Sequence, residues 1–403
     1  MSRVWRTWSV LVLFALGTSL ITPLIPVYQD RLGFGDTVAT LFLGCYVAAL
    51  VPSMLTLGQL SDRVGRRGVL LGALATLAAA QLLLITEPDL TGLLIARAIQ
   101  GLATGAFFGT CTAFIVDAAP VGRIRFASVL SSVSVRLGLG LGPGIGGVIA
   151  QHSDDPLRLP FELHLVALAL AAAVVLGLPE TVRVRSRRPL TLRLEVPAAE
   201  RAVFWRVLVP SGALFSLFDG VALSLMPIFL VRTLGVDDYA LVGAAGFLVL
   251  VSGSVSQLLL PRLAPDRAIG WGLAAAAVAS VGVVAAAPLE SAPLALAAVA
   301  GTGAAAGLVF KGGIDLCTRI APVQDRGKLL SSYYVACYLG GFSVPLLVVG
   351  VLSDLVGLTV ALACLSAAAA LGAAWTWAVG LRSLSGLRPA GPAVPALPRA
   401  GAE

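Results

Sequence analysis

Five ionisable side chains stand inside stretches that are otherwise apolar: Arg97, Arg136, Asp219, Lys311 and Asp315. A charge in such surroundings is costly unless it is paired or used, so each is a candidate functional group. Asp219, in "SLFDGVALSLMP", is a carboxyl that can take up a proton and release it as its access to water changes, and it is the first candidate for a proton carrier, the alternative being a static pair with one of the cations. Arg136 offers a planar guanidinium suited to two-point recognition of a carboxylate, and is the candidate anion contact. Lys311 and Asp315, in "FKGGIDLCTR", lie four residues apart on one helical face; they either neutralise each other or take part in coupling. Phe215, Phe218 and Tyr338, with Phe14, Phe107 and Phe108, could line an apolar cavity or pack in a core.

Other chemistry has little to stand on. The five cysteines (Cys45, Cys111, Cys317, Cys337, Cys364) fall in apolar stretches without CxxC spacing and read as small core residues. His152 and His164 flank one loop and suggest neither a metal set nor a catalytic base. No nucleophile is paired with a base, so nothing points to an enzyme, and no cofactor is implied beyond a proton gradient.

The elements that must position these residues are membrane spans. The chain has 403 residues, 58% of them hydrophobic and 12% charged, with a mean hydropathy of +0.94; this composition belongs to an integral membrane protein. A bilayer core needs about 20 apolar residues per helix. Such stretches recur at about 8–28, 37–59, 68–86, 91–115, 126–150, 160–178, 207–230, 239–260, 269–287, 293–317, 329–351 and 358–380. The first carries Pro23 and Pro26 and lacks a small-residue cleavage site, so it reads as a span and not as a cleaved signal.

With the N-terminus inside, 22 of the 28 basic residues fall on inner segments, and the outer ones hold only Arg31, Arg158 and Arg232 beside eleven acids. Both termini are therefore expected in the cytoplasm. The net charge of +7 is an orientation signal near anionic lipid, and no nucleic-acid partner is indicated. Arginine outnumbers lysine 26 to 2, and Ala, Gly and Pro abound, which fits a GC-rich bacterial genome and a bacterial inner or plasma membrane location.

The chain also repeats itself. "DAAPVGRIRFAS" (117–128) and "RIAPVQDRGKLLSS" (319–332) align with a shift of 202, from Pro120 to Pro322, and the Gly-rich helices after them, "LGLGLGPGIGG" and "YLGGFSVPLLVVG", correspond. The expected organisation is a six-helix bundle over 1–178, a basic cytoplasmic linker over 179–206, a second six-helix bundle over 207–381 and a disordered tail over 382–403. The fold class is thus an all-α membrane protein of twelve helices in two pseudo-symmetric bundles. Secondary transporters are often built so, with the substrate site between the halves near the midplane.

"GQLSDRVGRRG" (58–68), in the loop after the second span, resembles the signature of the major facilitator superfamily in Gly58, Asp62, Gly65, Arg66 and Arg67. "RAIQGLATGA" resembles the family's arginine motif, with Arg97, Gln100, Gly101 and Gly105. "GLGLGPGIGG" resembles the motif associated with exporters, with Gly138, Gly142, Pro143, Gly146 and Gly147. The resemblance covers about 8–381. It implies that Asp62 meets the N-terminus of the eleventh helix while Arg66 and Arg67 bind carboxylates, closing the inner side in the outward-open state. It also implies that Arg97 helps couple proton and substrate. In the second half the equivalent loop, "SQLLLPRLAPDRAIG", lacks the glycine and the aspartate, so the latch is expected to rest on Asp62 alone. The small residues around Pro143 would let the fifth helix approach a neighbour closely.

The resulting expectation is a secondary active transporter, a proton-coupled antiporter that exports a small amphipathic drug or metabolite by alternating access, acting as a monomer. An uptake symporter or facilitator on the same scaffold and a non-transporting sensor or scaffold are the alternatives. Three cations (Arg97, Arg136, Lys311) against two acids (Asp219, Asp315), with no acid in the first span, weaken a lipophilic-cation substrate and leave anionic, zwitterionic or neutral molecules at least as likely.

Overall fold

The computed structural model describes residues 2–120, 122–182, 194–322 and 325–380, and the side chains of Ser2, Gln59, Asp62 and Arg125 fall outside the description. The expected disordered tail (382–403) and residues 183–193 of the expected linker also lie outside the described residues.

Among the described residues, twelve helices are long and apolar enough to cross a membrane. They are α1 (Arg3–Leu32), α2 (Asp36–Val64), α3 (Arg66–Ile85), α4 (Leu90–Asp117), α5 (Ile124–Gln151), α6 (Leu159–Leu176), α7 (Ala198–Ser224), α8 (Tyr239–Leu259), α9 (Pro265–Ala286), α10 (Ala292–Ile320), α11 (Arg326–Val356) and α12 (Leu358–Val379). No strand occurs among the described residues. The seventh helix starts at Ala198, well before the expected position 207, because "AERAVFWR" alternates polar and apolar residues on a helical period and so joins the span instead of the linker. Beyond a break at Leu225 it continues through Met226–Ile228 and a wider turn, Phe229–Thr233.

The breaks follow from proline. In α1, regular helix stops at Gly17 and a tight 3-10 turn covers Thr22–Leu24 before helix resumes at Ile25. Pro23 and Pro26 have no N–H to give to the preceding turn, which loosens the hydrogen-bond ladder there. α11 is interrupted at Phe342–Ser343, just ahead of Pro345.

Packing repeats with a period of six helices. In the first half α2 packs on α4, α4 on α3, α3 on α6 and α1 on α5; in the second α8 packs on α10, α10 on α9, α9 on α12 and α7 on α11. Across the halves α5 meets α8 and α2 meets α11, again a matched pair. Large apolar side chains such as Leu259, Val278 and Leu355 point outward, as a lipid-facing surface requires. Cys111, Cys317 and Cys337 are buried as expected of small core residues, whereas Cys364 is exposed on α12.

The cores show where the molecule is closed. One continuous cluster, including Leu24, Phe42, Leu225, Phe229 and Leu346, joins both halves at the face opposite the 6–7 linker, the far face. Towards the linker face there are two separate clusters. One, around Phe14, Leu70 and Phe107, belongs to the first half, and the other, around Leu208, Val309 and Tyr333, to the second. The halves are fused at one end and parted at the other.

Candidate functional site

Between the parted halves lies a cavity of about 730 Å³. It reaches from Arg97, in the far-face third of α4, past Arg136 and Asp219 near the middle of their helices to Arg66, Asp117 and Ser128 at the linker face. Most of the wall is apolar and aromatic, the setting in which a few fixed polar groups orient a ligand.

Arg136 and Asp219 meet inside it. Arg136 Nη2 stands 3.1 Å from Asp219 Oδ2 and 3.5 Å from Oδ1, an ion pair that ties α5 of the first half to α7 of the second. Asp219 is 3% exposed. The guanidinium reaches it over Gly253 of α8, where an added methyl would stand 2.7 Å from Nη2. Arg136 Nε is buried without a partner, so one donor of the fork stays unused. The expected proton carrier and the expected anion contact are therefore each other's partners.

Arg97 is held differently. Its Nε donates to Phe42 O (3.1 Å), its Nη1 donates to Thr18 O (2.7 Å) and to Gln100 Oε1, and its guanidinium lies 4.8 Å from the centre of the Tyr46 ring. Thr18 O is available because the chain tightens at this point: Thr22 N donates to Ser19 O instead. Arg97 thus sutures the proline break of α1 onto α2 and α4, and carbonyl dipoles with a π face answer its charge.

Phe215 and Tyr338 line the cavity, with Phe108, Phe310, Tyr334 and Phe342. One expected lining residue lies elsewhere, and two pairs whose reading was open take the packed or paired arrangement. Phe218 does not line the cavity: with Asp219 facing it, a neighbour 100° round the helix turns away, and Phe218 packs instead with Val221, Val299 and Leu362. Phe14 and Phe107 stack on each other at 3.7 Å in the core of the first half. Lys311 and Asp315 also lie off the cavity wall. Lys311 Nζ binds Asp315 Oδ2 (2.7 Å) and Leu263 O (3.2 Å), which pins the α8–α9 connection.

At the linker face Gly65 takes φ +105°, a conformation open to glycine, and α3 starts at the next residue. Arg66 Nη1 pairs with Asp117 Oδ2 at 2.8 Å. The backbone N–H groups of Arg66 and Arg67 donate to Glu180 Oε1 (3.1 Å) and Oε2 (3.0 Å), so a carboxylate from after α6 caps α3. Partial burial pushes the Glu180 carboxyl up, but the N–H groups of Val182, Arg67, Arg66 and Thr181 outweigh it and hold the group below the usual carboxylate range. Asp117 and Glu180 were missed in the sequence, although the first ends a span and the second follows one. The expected Asp62 latch concerns a side chain outside the described residues.

The exporter-like motif makes two close seams where one neighbour was expected. Methyls added to Gly138, Gly142 and Gly146 would stand 2.6 Å from Ala15 Cβ, 2.3 Å from Leu16 O and 2.8 Å from Leu20 O, all on α1. Pro143 O would lie 2.2 Å from a methyl on Gly243, and Tyr239 O 2.3 Å from one on Gly147, both on α8. Helix α5 is wedged between its own half and the other, which places Arg136 at the seam. Ser19 Oγ donates to Leu139 O (2.6 Å) along the same contact.

The far face is shut by bonds between the halves. Arg232 Nη2 meets Asp30 Oδ1 (2.9 Å), Tyr239 N donates to Gln151 Oε1 (2.7 Å), and Asp36 N donates to Asp354 Oδ1 (2.7 Å). No group of three or more His, Cys, Asp or Glu placed to hold a metal ion occurs among the described residues.

Comparison with known proteins agrees with this architecture. The profile of the Major Facilitator Superfamily matches residues 7–345. The chain is 27% identical over 256 residues to Multidrug resistance protein 1 of Bacillus subtilis (strain 168), covering 61% of this chain and 62% of that protein. It is 29% identical over 170 residues to Quinolone resistance protein NorA of Staphylococcus aureus (strain MRSA252), covering 41% and 42%. The matches thus span less than two thirds of these relatives' length. Among solved structures, a POT family transporter in complex with 5-aminolevulinic acid superposes with a TM-score of 0.76 at 15% identity over 94% of this chain and 96% of that one. A bacterial homolog to the human lysosomal transporter Spinster, inward-facing and unoccupied, gives 0.71 at 15% identity over 95% and 97%.

Proposed function

Since the chain belongs to the Major Facilitator Superfamily and is a multi-pass cell-membrane transporter rather than an enzyme, we propose that it is a proton-coupled antiporter exporting a small amphipathic organic molecule by alternating access. The names of its relatives, a multidrug and a quinolone resistance protein, support export. The observation that carries the reading is the Arg136–Asp219 pair, which spans the two halves inside the cavity. With the linker face in the cytoplasm, as the distribution of basic residues favours, the conformation is inward-open.

The coupling follows from one carboxylate having three claimants. Ionised Asp219 holds Arg136. A proton removes its charge and loosens the link between α5 and α7. A substrate with a basic group takes the same carboxylate, so proton and substrate exclude each other, and exclusive binding under alternating access is antiport. Arg97 is committed to carbonyls and Lys311 lies off the wall, so the charges offered to a ligand at mid-depth reduce to one guanidinium and one carboxylate. A molecule carrying an acid and a base, or an uncharged amphipath with donors and acceptors, matches that pair best. Phe215 and Tyr338 would hold its apolar body.

The pair also favours a second reading for purely anionic solutes. These would reach Arg136 only once Asp219 is protonated, so proton and solute would bind together, which is symport.

Acidified everted vesicles carrying wild type or Asp219→Asn, given cationic, anionic, zwitterionic and neutral compounds in turn with a luminal pH dye, test the proposal. Luminal alkalinisation by zwitterionic or neutral compounds, lost in Asp219→Asn, is expected. Alkalinisation that persists in the variant removes Asp219 as the carrier, and acidification by anions would replace antiport with symport.

A further inference from the structure

The α11–α12 junction reads Gly350-Val-Leu-Ser-Asp354-Leu-Val-Gly357, and the α2–α3 junction reads Gly58-Gln-Leu-Ser-Asp62-Arg-Val-Gly65. Six of eight residues coincide, in the pattern G-x-L-S-D-x-V-G, at opposite faces of the molecule. The backbones coincide as well. Gly65 has φ +105° and ψ +145°, Gly357 has φ +90° and ψ +150°, and a helix begins at the next residue in both. Gly65 N donates to Ser61 O (3.1 Å), and Gly357 N donates to Ser353 O (2.9 Å). Equal sequence and equal geometry in inverted orientation mark an inverted repeat of the kind from which such folds are assembled.

At the far face this copy is engaged. Asp354 Oδ1 accepts from Asp36 N (2.7 Å), and Oδ2 accepts from Thr37 N (3.0 Å) and Thr37 Oγ1 (2.5 Å). These are first-turn donors of α2, which have no acceptor within their own helix. Ser353 Oγ donates to Asp36 Oδ2, and Gln29 Nε2 steadies the same carboxylate at 3.0 Å. Two glycines make room: a methyl on Gly35 would stand 2.7 Å from Asp354 Oδ1, and one on Gly350 would stand 2.6 Å from Thr40 Oγ1. The pseudo-symmetric contact between the halves, Gln151 on Tyr239 N, is made by a neutral amide, while the carboxylate that caps α8 is its own Asp238, so here no charged cap crosses between the halves as Asp354 does.

We propose that Asp354 is the latch of the far-face mouth, and that the antiparallel helices α2 and α11 carry reciprocal latches. The C-terminal end of α11 caps the N-terminus of α2 when the far face is shut, and the counterpart is the cap that the family resemblance implies for Asp62, at the C-terminal end of α2, on α11 when the linker face is shut. Each helix thus holds the other at alternate ends of the cycle. A carboxylate on a helix N-terminus gains from both the dipole and the unpaired N–H groups, so releasing it favours the opposite opening.

The test reads conformation alone, so it is independent of the proton-coupling reading on which the alternating-access frame otherwise rests. Full-length protein in lipid nanodiscs, at neutral pH without substrate or gradient, carries spin labels on azide-bearing residues introduced at Asp154 and Leu289, both exposed on far-face loops of different halves. Pulsed-dipolar distances are compared for wild type, Asp354→Asn, Gly35→Ala and Asp62→Asn/Asp354→Asn. Asp354→Asn and Gly35→Ala, which break the contact from opposite sides, are each expected to raise the long-distance, far-open population about fivefold, the worth of one helix cap. The double variant is expected to return to within about twofold of wild type, because both caps are then lost. If Asp354→Asn fails to fold, Gly35→Ala carries the test alone. Distances superimposable on wild type in a folded single variant overturn the latch. A shift that the Asp62 change does not offset overturns the reciprocity and leaves Asp354 as packing at the far face.

Discussion

Neutralising Asp219 while leaving Arg136 in place strands a guanidinium whose side chain is 12% exposed and whose carboxylate partner among the described residues stood at 3.1 Å. Breaking a buried pair by removing one member costs about 3–5 kcal/mol. The lower figure applies here because the cavity lets water reach Arg136, and about 3 kcal/mol corresponds to about 3–4 °C in Tm for a chain of this size. Asp219→Asn and Arg136→Gln should each lose that much, whereas Asp219→Asn/Arg136→Gln should recover most of it, with a coupling energy of about 2–3 kcal/mol. Thermal melts of the purified proteins in one detergent provide the stability cycle, and vesicle transport provides the function. The double variant should be nearly as stable as wild type and unable to drive uphill transport. Two results would refute the reasoning: single variants that melt with wild type, or a double variant that still couples transport to the proton gradient.

Further outcomes follow from the surrounding geometry. Arg97→Lys loses the fork that serves Thr18 O and Phe42 O together, and it should lower stability by about 1–3 kcal/mol, read as a reduced melting temperature, while Asp219-dependent pH sensitivity survives in whatever activity remains. Gly142→Ala puts a methyl 2.3 Å from Leu16 O and 2.2 Å from Ser19 Oγ; the α1–α5 seam must open, and transport should fall about tenfold or more, against little change for Gly44→Ala, which has open space. Glu180 has a depressed carboxyl, so its cap on α3 is fully present above the ordinary Glu value near 4.3 and lost as pH falls through the lower folded value. Hydrogen exchange at the Arg66 and Arg67 amides should therefore rise below about pH 4 relative to neighbouring amides, by about twofold for so exposed a carboxylate, and Glu180→Gln should show the weaker protection at every pH.

The spans were legible because a bilayer imposes a length, and a 20-residue apolar window leaves little choice of element. The start of α7 was not, because Ala198–Leu208 is amphipathic and its polar residues look like linker until the helical period is traced through Arg201 and Arg206. Each buried charge was legible as a charge that needs a reason. That Arg136 answers Asp219 was not, since 83 residues separate them and only the α5–α8 seam brings the guanidinium across. Phe218 could have been set aside from the helical period once Asp219 was taken to face the cavity. The α1 break held a clue to Arg97, since Pro23 and Pro26 loosen a ladder whose carbonyls then need outside donors. The recurrence of G-x-L-S-D-x-V-G at 350–357 was in plain sight but fell outside the half-chain shift of 202, because an inverted repeat pairs α11 with α2 and the half-chain repeat pairs α11 with α5.

One measurement tests most directly whether proton and substrate share a single carboxylate: the affinity of a transported compound, chosen from the vesicle panel, as a function of pH for wild type and Asp219→Asn. If they do, wild-type Kd weakens by up to about tenfold per pH unit on the acid side, as required for one competing proton, and the Asp219→Asn curve is flat. Parallel pH dependences in the two proteins, or tighter wild-type binding at acid pH, would contradict it.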